Sequence, residues 1–355
     1  MSRLAAVSSA LKAECLIEER GRRFVPQSVI AMKAMLCTRR APVQERPLKL
    51  TDIPEPAAGP GDVLVDVEVC GVCRTDLHVI EADLPVRKDP VVPGHQVIGT
   101  RRDTGERVGV AWLRSSCGSC PYCERGDENL CDTPVFTGYH ADGGYAEVAV
   151  GLPDFMYSIP EGLPSLQAAP LMCAGIIGYR AFVRSRAGPG SRLGLYGFGA
   201  SAHIVIQIAM HFGCEVFVMT RGQKHRDLAA EMGAAWVGEA YEGPPVKMDS
   251  SIVFAPVGEL VPPALEALDK GGTLACAGIH MSDIPSLNYA SHVFEEKTLT
   301  SVTANTRADG RELLRLAAEI PIRTHVEEFS LEQANDALIK LKTDEIRGAA
   351  VLRVR

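Results

Sequence analysis

Within Gly71-Val72-Cys73-Arg74-Thr75-Asp76-Leu77-His78 the chain places a thiol, a guanidinium, a hydroxyl, a carboxylate and an imidazole. Such a set can bind a metal, face an anion and move a proton, and here it is expected on a turn after an apolar strand. A cysteine and a histidine five residues apart also arise by chance. The reading therefore depends on partners elsewhere. One candidate is His95, set directly after the Pro93-Gly94 bend.

A second cluster is more specific. Cys117-x2-Cys120-x2-Cys123-x7-Cys131 offers four soft ligands within 15 residues, too close together for ordinary disulfide pairing. A closed shell of four thiolates suits a structural Zn²⁺ with no open position for chemistry, and Gly118, Pro121 and Gly126 permit the turns that let the sulfurs converge. An iron–sulfur cluster is the competing ligand set.

The elements that position these residues fall into two textures. Residues 61–69 alternate Val63, Val65, Val67 and Val69 against Leu64, Asp66 and Glu68, the period of a half-buried strand. Short strands and Gly/Pro turns continue to about residue 170. From about residue 190, strands and helices alternate, which predicts a parallel sheet covered by helices on both faces. Here Gly197-x-Gly199-x-x-Ala202 follows the strand Arg192–Tyr196 and opens an apolar helix. That is the context in which glycines let backbone amides approach a pyrophosphate and a small residue packs the helix on the sheet. The next strand ends in Thr220-Arg221 where a carboxylate would read a free ribose 2′-hydroxyl. Arg221 can instead pair with a 2′-phosphate, so NADP(H) is expected over NAD(H).

The whole chain constrains the partner. At 355 residues two domains are expected, and the composition (46% hydrophobic, 23% charged) is that of a globular protein. A formal charge of −7 argues against nucleic acid, and no apolar run approaches the roughly 18–20 residues of a membrane span. A small-molecule substrate is therefore favoured. The first 31 residues lack the apolar run of a secretory signal and are read as an N-terminal extension, which together with the cysteine usage gives a cytoplasmic expectation.

Cys73, His95, the Cys117–Cys131 lobe and Gly197–Ala202, in that order, resemble the zinc-dependent alcohol dehydrogenases of the medium-chain dehydrogenase/reductase family over about residues 32–355. The resemblance implies a mostly-β GroES-like catalytic domain (32–172 and 307–355) with a zinc lobe, and a Rossmann doubly wound coenzyme domain (173–306). It implies a second, catalytic zinc held by Cys73, His95 and Cys173, so two zinc ions per chain. Two thiolates and a neutral imidazole balance Zn²⁺ and leave one position open to polarise a carbonyl or acidify an alcohol.

By the same resemblance Thr75 touches the substrate oxygen and His78 ends a proton relay. Asp76 orients the ring of His95, Arg74 and Arg347 meet the pyrophosphate, and Trp112 lines the substrate cleft. Two positions depart from the family pattern: Gln96 replaces a glutamate after His95, and Ile177 replaces a threonine near the nicotinamide. The implied activity is hydride transfer between a primary alcohol or aldehyde and NADP(H) or NAD(H), in a homo-oligomer. The alternative is a non-catalytic dinucleotide-binding redox sensor or scaffold with structural zinc only. Zinc-free quinone or enoyl reductases are disfavoured because they lack the cysteine and histidine ligands.

Overall fold

The computed structural model describes residues 30–355. Residues 1–29, nearly all of the expected extension, lie outside the described residues. Ala31, placed in that extension by sequence, instead begins the strand Ala31–Cys37, which pairs antiparallel with Leu48–Pro54. No single helix among the described residues is long and apolar enough to cross a membrane.

The first half is built on a mixed sheet ordered Val326–Ser330, Ala349–Arg353, Val63–Val72, Gln96–Arg101, Arg107–Val110, Met156–Ser158, with Val148–Gly151 also pairing on Val63–Val72. The last strand of the chain thus returns to the first half, pairing Ala350 with Val72. Val63–Val72 is longer than its alternation indicates. Val65 and Val67 are buried in one core as expected, but the pairing with Gln96–Arg101 slips register between Val67 and Val69, so Val69 is buried in the other core and Cys70 and Val72 take over the first.

The strand then delivers its chemistry onto a helix rather than the expected turn. Arg74–Ile80 is helical with Cys73 as its N-cap. The Asp76 carboxylate accepts from the Cys73 backbone N–H at 2.9 Å, and the Thr75 N–H donates to the Cys73 sulfur at 3.3 Å. This reciprocal cap satisfies donors that a helix start would otherwise leave unpaired. The carboxylate's spacing from the cysteine, three residues on, is that of a capping box.

The second half holds a six-stranded parallel sheet ordered Trp236–Gly238, Glu215–Met219, Arg192–Tyr196, Met248–Val253, Leu268–Cys276, Thr298–Ser301. Chain order reverses at Arg192–Tyr196, and ligands of such sheets bind at the carboxyl ends beside that reversal. The helix Ala200–His211 starts there, and Gly213 with φ +77 lies just past its end, a left-handed position that suits glycine. The hydrophobic core does not divide at 306. Helix Arg307–Glu319, assigned by sequence to the catalytic domain, buries Leu313 and Leu316 in the same core as Ile176 and Phe182 of helix Ala174–Ser185.

Helix Ala174–Ser185 also presses on Ala200–His211 through Gly178, where a Cβ would lie 2.6 Å from Val205 Cγ2. Gly178→Leu is expected to destabilise the fold by about 1–3 kcal/mol through overpacking. Because Ala200–His211 carries the dinucleotide turn at its start, KM for the nicotinamide cofactor should rise as well. Urea unfolding and initial-rate kinetics read the two effects, and unchanged values in both would show that the helices separate without cost.

Candidate active site

Four elements bring the three expected ligands together. Cys73 caps its helix, His95 precedes the strand Gln96–Arg101, and Cys173 lies at the break between the short helix Ala169–Met172 and Ala174–Ser185. Their ligand atoms all lie within 4.8 Å of one another, with Cys73 Sγ 3.2 Å from His95 Nε2. Gln96 is buried behind the site, its side chain packed where a Cβ on Gly71 would fall.

Asp76 holds this arrangement and is 1% exposed. Besides the Cys73 cap, its carboxylate accepts from Gly94 N at 3.2 Å and Tyr145 Oη at 3.1 Å, and lies 3.1 Å from His95 Nδ1. Burial raises the Tyr145 phenol well above its ordinary value, so it stays a donor. The bond to Nδ1 turns His95 Nε2 towards the two sulfurs. Sequence reasoning found Asp76 but not Tyr145 or Gly94. The signal was the pair Gly143-Gly144 before Tyr145: a Cβ on Gly143 would lie 1.9 Å from the Gly94 carbonyl oxygen, so this loop must pass against the bend that carries His95.

The donor set fits a divalent metal. Burial pushes the Cys73 thiol well above its ordinary value, and the Cys173 thiol adds to that. The same burial favours a neutral His95 ring, against which the charges of Cys73 and Asp76 raise its pKa to about 10. Burial thus disfavours the Cys73 thiolate unless a counter-charge is supplied, which a dication held by this donor set would do. The four-cysteine lobe fits too. Its sulfurs also lie within 4.8 Å of one another, with Cys120 to Cys123 at 3.5 Å and Cys117 to Cys123 at 3.9 Å. A tetrahedral site with Zn–S near 2.3 Å needs sulfurs about 3.8 Å apart. Backbone N–H groups of Cys117, Cys120 and Thr133 donate to the sulfurs. All ten cysteines among the described residues are free.

Cys73 and Cys173 line a cleft of about 830 Å³ that runs along the carboxyl ends of the parallel sheet, past Gly197, Gly199, Thr220 and Arg221. Gly197 takes φ +89, and a Cβ there would meet Ala255 N at 3.0 Å. At Gly199 a Cβ would meet no protein atom within 4 Å. The protein does not require glycine there; a ligand lying against the backbone would. Ala202 is fully buried where helix meets sheet, and helix Ala200–His211 starts without a side-chain cap, leaving its first amides to the cleft. Thr220 Oγ1 accepts from Phe198 N at 3.2 Å, bracing the turn.

At the other end Trp112 stacks with Phe136 (4.9 Å between centroids) and with Tyr139 (5.7 Å), and meets His95 edge-on at 4.8 Å. Thr75 and Ile177 share this wall. His78 lines the cleft with its Nδ1 2.8 Å from Asp83 Oδ2. Phe136, Tyr139 and Asp83 carried no sequence signal beyond their types. One expected contact is displaced. Arg347 is paired with Glu231 at the end of helix Gln223–Glu231, and Gly348 and Ala349 line the cleft in its place. Gly348, at φ +90, turns the chain there, which sends the side chain before it outwards. Arg74 does face the cleft.

A GroES-like sheet with a cysteine lobe, joined to a dinucleotide-binding sheet across a Cys-His-Cys cluster, defines a zinc-binding dehydrogenase. Residues 59–161 match the family model of the alcohol dehydrogenase GroES-like domain, and residues 202–319 that of the zinc-binding dehydrogenases. The chain belongs to the zinc-dependent alcohol dehydrogenases of the medium-chain dehydrogenase/reductase family, and it is an oxidoreductase acting on CH–OH groups. It is 50% identical over 345 residues to the probable alcohol dehydrogenase AdhA of Mycobacterium tuberculosis, covering 93% of this chain and 99% of that one. An alcohol dehydrogenase of Geobacillus stearothermophilus is 33% identical, over 87% of this chain and 97% of its own. Among solved structures, the cinnamyl alcohol dehydrogenase SbCAD4 of Sorghum bicolor is 27% identical with a TM-score of 0.81, covering 91% of this chain and 96% of that one.

Asp76→Ala is expected to lower metal affinity at Cys73, His95 and Cys173 by about 10–100-fold and to leave the four-cysteine lobe loaded. Equilibrium competition with a chelator reads both sites. Undiminished affinity at the first would show that packing alone orients His95.

Proposed function

We propose that the chain oxidises primary alcohols, or reduces the corresponding aldehydes, with NADP(H) favoured over NAD(H) and two zinc ions per chain. One zinc would be held by Cys73, His95 and Cys173 and the other by Cys117, Cys120, Cys123 and Cys131. The observation that carries the reading is the Cys-His-Cys cluster opening onto the same cleft as the dinucleotide turn. When bound, the metal polarises the substrate oxygen and the nicotinamide takes or gives the hydride.

The chain's own residues do the rest. The Thr75 hydroxyl, beside Cys73 in the cleft, exchanges a proton with the substrate oxygen. His78 takes that proton onward, its Nδ1 occupied by Asp83 so that Nε2 is left to act. Trp112, Phe136 and Ile177, which line the cleft with Thr75, exclude water and bound an apolar pocket. Such walls favour short or aromatic primary alcohols, and the name of the Sorghum relative, a cinnamyl alcohol dehydrogenase, supports the aromatic choice. Gly197, Gly199 and the amides of the following helix receive the pyrophosphate with Arg74, and Arg221 receives a 2′-phosphate.

Assembly into a homo-oligomer is supported by the nucleotide half. Its edge strand Thr298–Ser301 has no neighbour on one side among the described residues, and Tyr289, Phe294 and Leu299 nearby are exposed.

An absorbance assay at 340 nm tests the reading. Benzyl alcohol and short primary alcohols are expected to turn over with NADP⁺ more efficiently than with NAD⁺, and bulky secondary alcohols at least about tenfold less efficiently than either. Equal turnover of the bulky secondary alcohols would remove the pocket argument. A clear NAD⁺ preference would remove the one from Arg221.

A further inference from the structure

The second strand of the parallel sheet ends without a carboxylate, yet one reaches the same region from the other half of the molecule. Asp344 follows helix Ala334–Lys342 and lines the cleft together with Arg74, Arg221 and His225. Its Oδ1 lies 3.4 Å from His225 Nε2 and 3.7 Å from Arg74 Nη2. The hydrogen bond from His225 holds its carboxyl below the ordinary value against burial, with further help from the charges of Arg74 and Arg221. Asp344 is therefore an anion among the basic groups of the cofactor cleft. The other carboxylate here, Glu239, is engaged 2.7 Å from Arg226 and is mostly solvent-exposed.

This inference rests on the reading that the adenosine ribose of the cofactor lies at the end of the second strand, where Arg221 is assigned its 2′-phosphate. We infer that Asp344 is a cofactor-selectivity residue supplied by the catalytic half, one that opposes a 2′-phosphate on the adenosine ribose. Its carboxylate is held at the end of the second strand by His225, four residues after Arg221, and from there it competes for the charge of Arg221 and repels a phosphate placed beside it. A ribose with a free 2′-hydroxyl meets no such opposition and can donate a hydrogen bond to the carboxylate. The preference of the enzyme is then the balance of Arg221 against Asp344. Asp344 is partly open to solvent, which limits the effect by screening. No reading of the dinucleotide motif would find it, because it lies more than 120 residues beyond Arg221.

Asp344 has φ +61, a left-handed conformation that asparagine and glycine both adopt readily. Asp344→Asn and Asp344→Gly therefore remove the charge without straining the backbone. Steady-state kcat/KM is measured with NADP⁺ and with NAD⁺ at fixed alcohol. In both variants the ratio of the NADP⁺ value to the NAD⁺ value is expected to rise roughly fivefold or more. A ratio that is unchanged or falls, or that rises in only one of the two, overturns the inference, since both lose the same charge. Arg221→Ala in parallel separates this inference from the reading beneath it. If Arg221→Ala leaves the NADP⁺ efficiency intact while the Asp344 variants raise the ratio, the assignment of Arg221 fails and that of Asp344 stands. If Arg221→Ala cuts the NADP⁺ efficiency and the Asp344 variants change nothing, the reverse holds.

Discussion

The carboxylate of Asp76 is the interaction on which the site depends. It is buried, it closes the cap of the helix Arg74–Ile80, and it ties Cys73, Gly94, His95 and Tyr145 to one point. Each of these groups is a polar atom removed from water, and an orphaned one would cost about 1–3 kcal/mol. The network therefore does two things with one side chain. It satisfies the start of a short helix, and it fixes two ligand-bearing segments from different parts of the sheet in a single geometry. Glycines at 94, 143 and 144 are part of the same constraint, because the loop bearing Tyr145 must lie against the bend bearing His95.

Around that point the two halves of the molecule have separable tasks. The mixed sheet supplies Cys73 and His95, and the break before helix Ala174–Ser185 supplies Cys173 at the junction with the parallel sheet. The parallel sheet supplies the turn at Gly197 and the basic residues at its second strand end. The cleft between them is apolar near Trp112 and charged near Arg221, so one end suits a hydrocarbon substrate and the other a phosphorylated cofactor. The shared core of helices Ala174–Ser185 and Arg307–Glu319 makes the junction a packed one.

Much of this was legible in the sequence because it is local. The cysteine lobe and the glycine turn after Arg192–Tyr196 are both set by spacings of a few residues. The resemblance to a known family then joined Cys73, His95 and Cys173, which no spacing connects. What escaped was set by contacts between distant segments. Tyr145 reaches Asp76, Asp344 reaches His225, and Arg347 turns out to Glu231, each across intervals where periodicity carries no information. The helix at Arg74–Ile80 was read as a turn because its seven residues are too few to show a 3.6-residue pattern, and only its cap announces it.

The central claim is that the Asp76 network prepares a metal centre at the floor of the cofactor cleft, distinct from the cysteine lobe. Anomalous diffraction at the zinc edge from crystals of zinc-replete protein tests it most directly. The account predicts two peaks per chain, one enclosed by Cys73, His95 and Cys173 and one by Cys117, Cys120, Cys123 and Cys131. A single peak, at the four-cysteine lobe, would contradict it.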